Sequence, residues 1–129
     1  MPQSLQAFLA MMLATMAALS QFRAQVTTYE DMVRGEYEIM ANAVAIEQIE
    51  LIDLNTAWAN LESVDGDTLA VTWAVGTESV AFSLAFAVQY VDESGVPSGI
   101  PTTVKEVSVT ATNTKFSSAL VTHTRLFTQ

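Results

Sequence analysis

Hydrophobic and polar positions divide the chain into stretches with different periods. The first 22 residues contain no charged side chain, and residues 5–19 are almost entirely Leu, Met, Ala and Phe. An α-helix rises about 1.5 Å per residue, so about 20 such residues match the roughly 30 Å hydrocarbon layer of a membrane. Leu, Met, Ala and Gln favour a helix, and Pro2 is tolerated in a first turn. The pattern predicts an uncharged helix that begins near residue 2 or 3.

The helical period continues after Arg23, but the helix becomes amphipathic. No proline interrupts residues 3–96, and Gly35 is a single helix-weakening residue at a cost of about 1 kcal/mol against alanine. We therefore predict one helix from about residue 3 to an end between 53 and 61, roughly 75 to 90 Å long. Its apolar positions recur mainly at steps of three and four residues. They are Val26, Tyr29, Val33, Tyr37, Met40, Val44 and Leu51.

The period changes to strict alternation after the turn-prone residues 63–67. Residues 68–75 and 79–91 place large apolar side chains on one face, and Gly76 with Thr77 favours a hairpin between them. A loop with two prolines and two glycines follows, and residues 103–112 and 118–128 are typical of two more strands. The predicted fold is α+β, a long N-terminal α-helix packed on a small four-stranded antiparallel β-sheet.

This pattern also predicts the organisation of the chain. We divide it into an apolar half of the helix at 1–22, an amphipathic half at 23–62 and an antiparallel β domain at 63–129. A domain of that size is only about 25 to 30 Å across, so it cannot cover a helix of the predicted length. The first half of the helix is therefore expected to find partners outside the chain.

Composition narrows the function classes. Half of the residues are hydrophobic and only 15% are charged, with 14 acidic residues against 5 basic ones and a formal charge of -9. No cluster of Lys and Arg is present, which disfavours a surface that binds nucleic acid or anionic lipid. The chain has no cysteine, so disulfides and thiolate chemistry are excluded.

Candidate catalytic residues are few. His123 is the only histidine, and we expect it to face solvent on a strand beside Arg125. Asp65 and Asp67 flank Gly66, but no complete EF-hand loop follows them, and this pattern is more typical of a turn. No P-loop or GxGxxG motif is present. We predict a protein that is not an enzyme, with no catalytic residue, no cofactor and no metal site.

The aromatic residues favour packing over ligand binding. Trp58 and Trp73 are expected to pack in the core or between helix and sheet. Tyr29 and Tyr37 lie two helical turns apart on one stripe, where they would pack against neighbouring helices or the sheet.

The order of these elements resembles a mature type IV pilin. The resemblance rests on the uncharged helical segment at 1–22, the amphipathic helix that ends near residue 55, a short connection and the four-stranded antiparallel sheet. Two features depart from that family. Leu5 stands where pilins usually carry a glutamate, and the proline or glycine that often loosens the first half of the helix is missing. We therefore predict an intact helix through residues 3–34.

The resemblance implies a structural subunit of an extracellular filament at the cell surface. Such a subunit is inserted in the inner membrane before assembly, is polymerised by pilus assembly machinery, and forms a helical homopolymer through its N-terminal helix. No cofactor and no nucleic-acid binding are expected. The residues expected to pack in the filament core are Leu5, Phe8, Leu9, Met12, Leu13, Met16 and Leu19. Those expected to allow close helix approach are Ala7, Ala10, Ala14, Ala17 and Ala18. Those expected to form ion pairs between subunits are Arg23, Arg34, Glu30 and Glu38.

Two alternatives remain open at this point. One is a β-domain binding module held by a single membrane-spanning helix, which positive-inside topology disfavours as an N-in anchor because Arg23 and Arg34 both follow the apolar segment. The other is a secreted domain that still carries its signal peptide. A signal peptide usually opens with Lys or Arg, whereas the first basic residue here is Arg23.

Overall fold

The computed structural model describes residues 2–116 and 118–129, and it confirms the predicted α+β fold. One long N-terminal helix is packed on a four-stranded antiparallel sheet. The chain divides into two compact units, residues 1–36 and 37–129, which we describe separately. The elements are helix α1 (Pro2–Asn55), a 3₁₀-helix (Trp58–Val64), and strands β1 (Thr68–Val75), β2 (Glu78–Val91), β3 (Val104–Thr112) and β4 (Val121–Thr128).

Helix α1 is continuous through the residues for which the sequence predicts an intact helix. Its sequence lacks proline after Pro2 and contains one glycine, Gly35, which does not end the helix. Two hydroxyls on the first unit are satisfied within the helix. Thr15 Oγ1 donates to the Met11 carbonyl at 2.8 Å, and Thr28 Oγ1 donates to the Ala24 carbonyl at 2.9 Å. Neither hydroxyl therefore requires water as a partner.

The sheet is a meander in which each strand pairs with the next along the chain. The strand order is β1-β2-β3-β4, and all three pairings are antiparallel. Gly76 and Thr77 form the predicted two-residue turn between the paired residues Val75 and Glu78. Gly76 adopts a φ of 63°, a left-handed conformation that glycine tolerates at little cost.

The core of the second unit lies between one face of the helix and one face of the sheet. Along β2, buried and exposed side chains alternate over residues 82–87, as expected for a strand with one covered face. The other face of β2, which carries mainly Ala and Ser, is largely exposed. The buried residues of this core are Ala41, Val44, Ala45, Ile49, Phe82, Leu84, Phe86, Val109, Ala111 and Leu120.

The prediction that the last strand begins at residue 118 is wrong, because β4 begins at Val121. The backbone N–H of Leu120 donates to the Ala111 carbonyl, and its side chain is buried in the core. Phe116 also packs against the core from the same loop. Apolar residues of the β3–β4 loop thus fill the core, and their pattern mimics the start of a strand. Residue 117 lies outside the described residues.

The 3₁₀-helix between α1 and β1 was not predicted, and a buried lysine holds it to the sheet. Lys105 on β3 is only 2% exposed. Its Nζ donates to the Trp58 carbonyl at 2.9 Å and lies 4.1 Å from the centre of the Trp58 ring. The Glu62 carboxylate lies 3.9 Å from the same Nζ. The ammonium group therefore has a hydrogen-bond acceptor, an aromatic face and an opposite charge, which offset the cost of its burial.

Candidate functional site

The first unit carries an apolar helix surface that is exposed along the described residues 2–32. The seven large residues predicted for a filament core are all exposed, with between 48% and 71% of their surface accessible. In the most apolar 18-residue window of the helix, no residue is buried. A helix from the core of a soluble protein would be mostly buried, so this surface is a candidate site for an apolar partner.

By length and composition, this helix is able to cross a membrane. A membrane anchor and a signal sequence near the N-terminus share this property, and length and composition do not distinguish them. Within the segment, the Thr15 hydroxyl already has a partner in the same helix, as lipid requires of polar groups. The helix is thus long and apolar enough for a lipid environment, and the Thr15 hydroxyl is compatible with one.

Two opposite sides of this helix differ in side-chain size. At 100° per residue, the alanines at 7, 10, 14, 17 and 18 share one side, while the predicted packing residues from Leu5 to Leu19 share the other. All of these positions are exposed. One side is therefore a shallow groove that lets a second helix approach closely, and the opposite side is a ridge of Leu, Met and Phe. We call them the alanine groove and the bulky ridge.

The exposed ridge is costly in water. Burial of one large apolar side chain is worth about 1.5 to 3 kcal/mol, so the seven ridge residues together represent on the order of 10 to 20 kcal/mol. Lipid tails or another apolar protein surface would each supply this free energy. An aqueous monomer with the ridge uncovered is the least favourable of these states.

The charged residues predicted to pair between subunits are divided between the two units. Arg23 and Glu30 are exposed in the first unit. Arg34 and Glu38 are half-buried, and each already has an interaction partner in the chain. Pairing between subunits therefore stays a prediction for all four residues.

His123 does not face solvent as predicted. It shares a face with Arg125, as expected, but it is half-buried where β4 meets the helix. Both residues line a cavity of about 250 Å³ with Ile46, Ile49 and Glu50 of the second unit. Arg125 pairs with Asp53 at 3.1 Å across the same region. The Arg125 side chain therefore joins β4 to the helix of the second unit, and His123 lines the cavity beside it.

The other candidate residues of the second unit also have structural contacts. Asp65 accepts a hydrogen bond from the Val88 backbone N–H at 2.9 Å, which fixes the turn before β1. Trp73 packs against the core. Among residues 2–116 and 118–129, no three His, Cys, Asp or Glu side chains lie together as a metal site would require.

The two tyrosines of the predicted helix stripe have different surroundings. Tyr37 makes edge-to-face ring contacts with Phe82 and Phe116, at centroid distances of 6.4 and 5.3 Å. Tyr29 is exposed in the first unit. Sequence spacing placed both on one stripe, but only Tyr37 meets the sheet.

A small cluster of polar groups surrounds the buried Lys105. A hydrogen bond to the Glu62 carboxylate raises the pKa of Tyr90, because loss of the phenol proton would leave two negative charges together. The Lys105 Nζ also lies 5.3 Å from the centre of the Tyr90 ring. The contacts of Lys105 with Glu62 and Tyr90 were not predicted from the sequence, because an alternating strand pattern does not show that one lysine is buried.

Comparisons of the chain with protein families, with curated proteins and with solved structures find no match. The function is therefore inferred from the residues and geometry of this chain.

Proposed function

We propose that this protein is the structural subunit of an extracellular, type IV pilus-like filament that polymerises through its N-terminal helix. The observation that carries the proposal is the exposure of helix residues 2–32, with a bulky ridge on one side and an alanine groove on the other. The proposed role is mechanical, and packing between copies is itself the function.

The two sides of the helix support an open polymer over a closed pair. The bulky ridge of one copy fits the alanine groove of a second copy, whose own ridge stays free for a third. An interface between two different surfaces of identical chains is heterologous, and it generates rings or helical filaments. A closed dimer would instead join like surfaces and leave the other side of each helix uncovered.

In this proposal the apolar segment at residues 5–19 exchanges one apolar environment for another. Before assembly this segment lies in the inner membrane, and during assembly it leaves lipid and packs against other copies. Lipid tails and packed Leu, Met and Ala side chains are similarly apolar, so the exchange is nearly neutral per residue. Assembly machinery that consumes ATP is then sufficient to drive it.

A single charge in the alanine groove tests the proposal. Ala14→Asp places a carboxylate where a second helix would approach, and we expect cells that carry it to lose surface filaments. Ala59→Asp makes the same chemical change at an exposed position of the 3₁₀-helix, and we expect it to keep them. Sheared surface material, examined by negative-stain electron microscopy and immunoblotting, provides the measurement.

The same experiment separates the competing function. Thin fibres that contain the wild-type polypeptide and are lost only in Ala14→Asp would support a filament subunit. If the wild-type protein is found only as detergent-soluble monomers, the proposal is wrong, and a membrane-anchored binding module would account better for the exposed helix.

A further inference from the structure

The charge of this protein is distributed very unevenly between its two units. Residues 37–129 contain eleven acidic and three basic residues, a net charge of -8, whereas residues 1–36 contain three acidic and two basic residues, a net charge of -1. Residues 2–22, which form the ridge and groove, contain no charge at all. The uncharged surface and the acidic surface therefore belong to different parts of the chain.

The basic residues of the second unit are poorly placed to neutralise a neighbouring copy. Lys105 is buried against Trp58 and Glu62, and Arg125 is paired with Asp53. Lys115 remains near the surface, where its Nζ lies 5.2 Å from the centre of the Tyr37 ring. Of the eleven acidic side chains, nine are exposed and two are half-buried. The surface of the second unit is thus strongly negative.

We propose that ionic strength controls the stability of the assembled filament. This inference rests on the proposed function, because it concerns copies held together by the helices of their first units. Each added copy brings another strongly acidic second unit into the polymer, where like charges repel. Dissolved salt screens this repulsion over a distance of about 30 Å at 0.01 M, about 10 Å at 0.1 M and about 3 Å at 1 M. The uncharged helix segments do not repel one another, so screening by salt has no such effect on their packing.

Lowering the salt concentration around isolated filaments provides the test. Filaments are sheared from cells in about 1 M NaCl and then dialysed into a NaCl series down to about 0.01 M, a range over which the screening length grows about tenfold. The pelletable fraction and negative-stain images are recorded at each step. We expect loss of pelletable filaments at the low end of the series and full retention at the high end.

Charge-neutralised filaments sharpen the test. Four substitutions at exposed acidic positions change the net charge of the second unit from -8 to -4, and the repulsion scales with the product of the charges, so it falls about fourfold. We expect these filaments to survive at a salt concentration at least about threefold lower than wild type. Charge-preserving exchanges of Glu and Asp at the same positions form the matched control and should behave as wild type. The neutralising substitutions are Glu47→Gln, Asp67→Asn, Glu78→Gln and Glu93→Gln.

The possible results are distinguishable. MgCl₂ at matched ionic strength should act as NaCl does, and a requirement for Mg²⁺ alone would overturn the screening inference in favour of a specific cation. Filaments that persist unchanged at about 0.01 M salt, where screening extends to about 30 Å, would also overturn it while leaving the proposed function intact. If no filaments form from the wild-type chain at any salt concentration, both the function and this inference are wrong.

Discussion

The two parts of helix α1 have the same local structure but differ in how much of their surface is buried. In residues 37–55 the helix buries Ala41, Val44, Ala45 and Ile49 against the sheet of its own chain. In residues 2–36 the helix is at least as rich in Ala and Leu, yet no residue is fully buried. Intrinsic helix propensity is similar in both parts, so it does not decide which surface is covered. The difference is that residues 37–55 pack their apolar side chains against the sheet, whereas residues 2–32 leave theirs exposed.

The largest expected effect comes from Phe82, which packs in the core with helix residues 37–55, and we compare it with Phe8 in residues 2–36. Phe82 is 2% exposed in the core of the second unit, and Phe82→Ala should lower the free energy of unfolding of that unit by about 3 to 5 kcal/mol. Phe8 is exposed, and Phe8→Ala should change the same quantity by less than about 0.5 kcal/mol while weakening assembly. Urea unfolding in mild detergent, followed by tryptophan fluorescence, measures the first effect, and filament yield measures the second.

Equal destabilisation by both substitutions would break the comparison. It would mean that the first unit contributes to the folding of the second. An unchanged filament yield in Phe8→Ala would instead argue that the bulky ridge is not a packing surface.

Removal of the buried ammonium group is expected to have an intermediate effect. Lys105→Met keeps an apolar stem of similar length but leaves the Trp58 carbonyl without its donor, which should cost about 1 to 3 kcal/mol of unfolding free energy. Lys115→Met is the matched control. Lys115 is exposed, so its loss should change the unfolding free energy by only about 0.5 kcal/mol. Urea unfolding again provides the measurement, and equal effects at both positions would contradict a stabilising role for the buried group.

The smallest expected effect is a dependence of one loop on pH. The Asp92 carboxylate accepts hydrogen bonds from the Ser94 Oγ at 2.6 Å and from the backbone N–H groups of Val96 and Ser94, each at 2.9 Å. The hydrogen bond from the Ser94 hydroxyl is the main cause that lowers the pKa of Asp92 below its usual value. The carboxylate therefore stabilises the loop above the unfolded pKa of about 3.9, and this contribution is lost as the pH falls through the lower folded pKa.

Nuclear magnetic resonance tests this sign directly. The amide signals of Ser94 and Val96 should move together with the Asp92 carboxyl carbon as the pH falls below about 4. Asp92→Asn should remove the titration from both amides. A midpoint above that of an unstructured aspartate would contradict the hydrogen-bonded loop.

The sequence predicted the parts of this fold that depend on periodicity. The uninterrupted helix, the alternation in β2 and the turn at Gly76 each follow from local preferences that tertiary contacts do not oppose. The start of β4 was mispredicted because Leu120 is apolar in order to fill the core, as is Phe116 just before the predicted strand. Their loop conformation depends on packing that a single sequence does not display.

The candidate surface was predictable in its residues and only partly in its geometry. A charge-free stretch of Leu, Met and Ala is easily recognised in the sequence. The exposure of every predicted packing residue agrees with a helix surface that needs a partner. Lys105 and the half-buried His123 could not be assigned in the same way. The burial of Lys105 depends on Trp58, and that of His123 depends on the helix, and both contacts join residues far apart in the sequence.

The nearest-neighbour pairing of the four strands has a consequence for synthesis on the ribosome. The helical face with Ala41, Val44, Ala45 and Ile49 is made first, but β2 and β3, which cover it, follow later in the chain. At about 5 to 20 residues per second, that face waits uncovered for on the order of ten seconds. Since each strand then needs only its immediate predecessor, pairing proceeds by local contacts and adds little delay. A nascent chain that stalls before β3 would expose this face and become a target for chaperones and proteases.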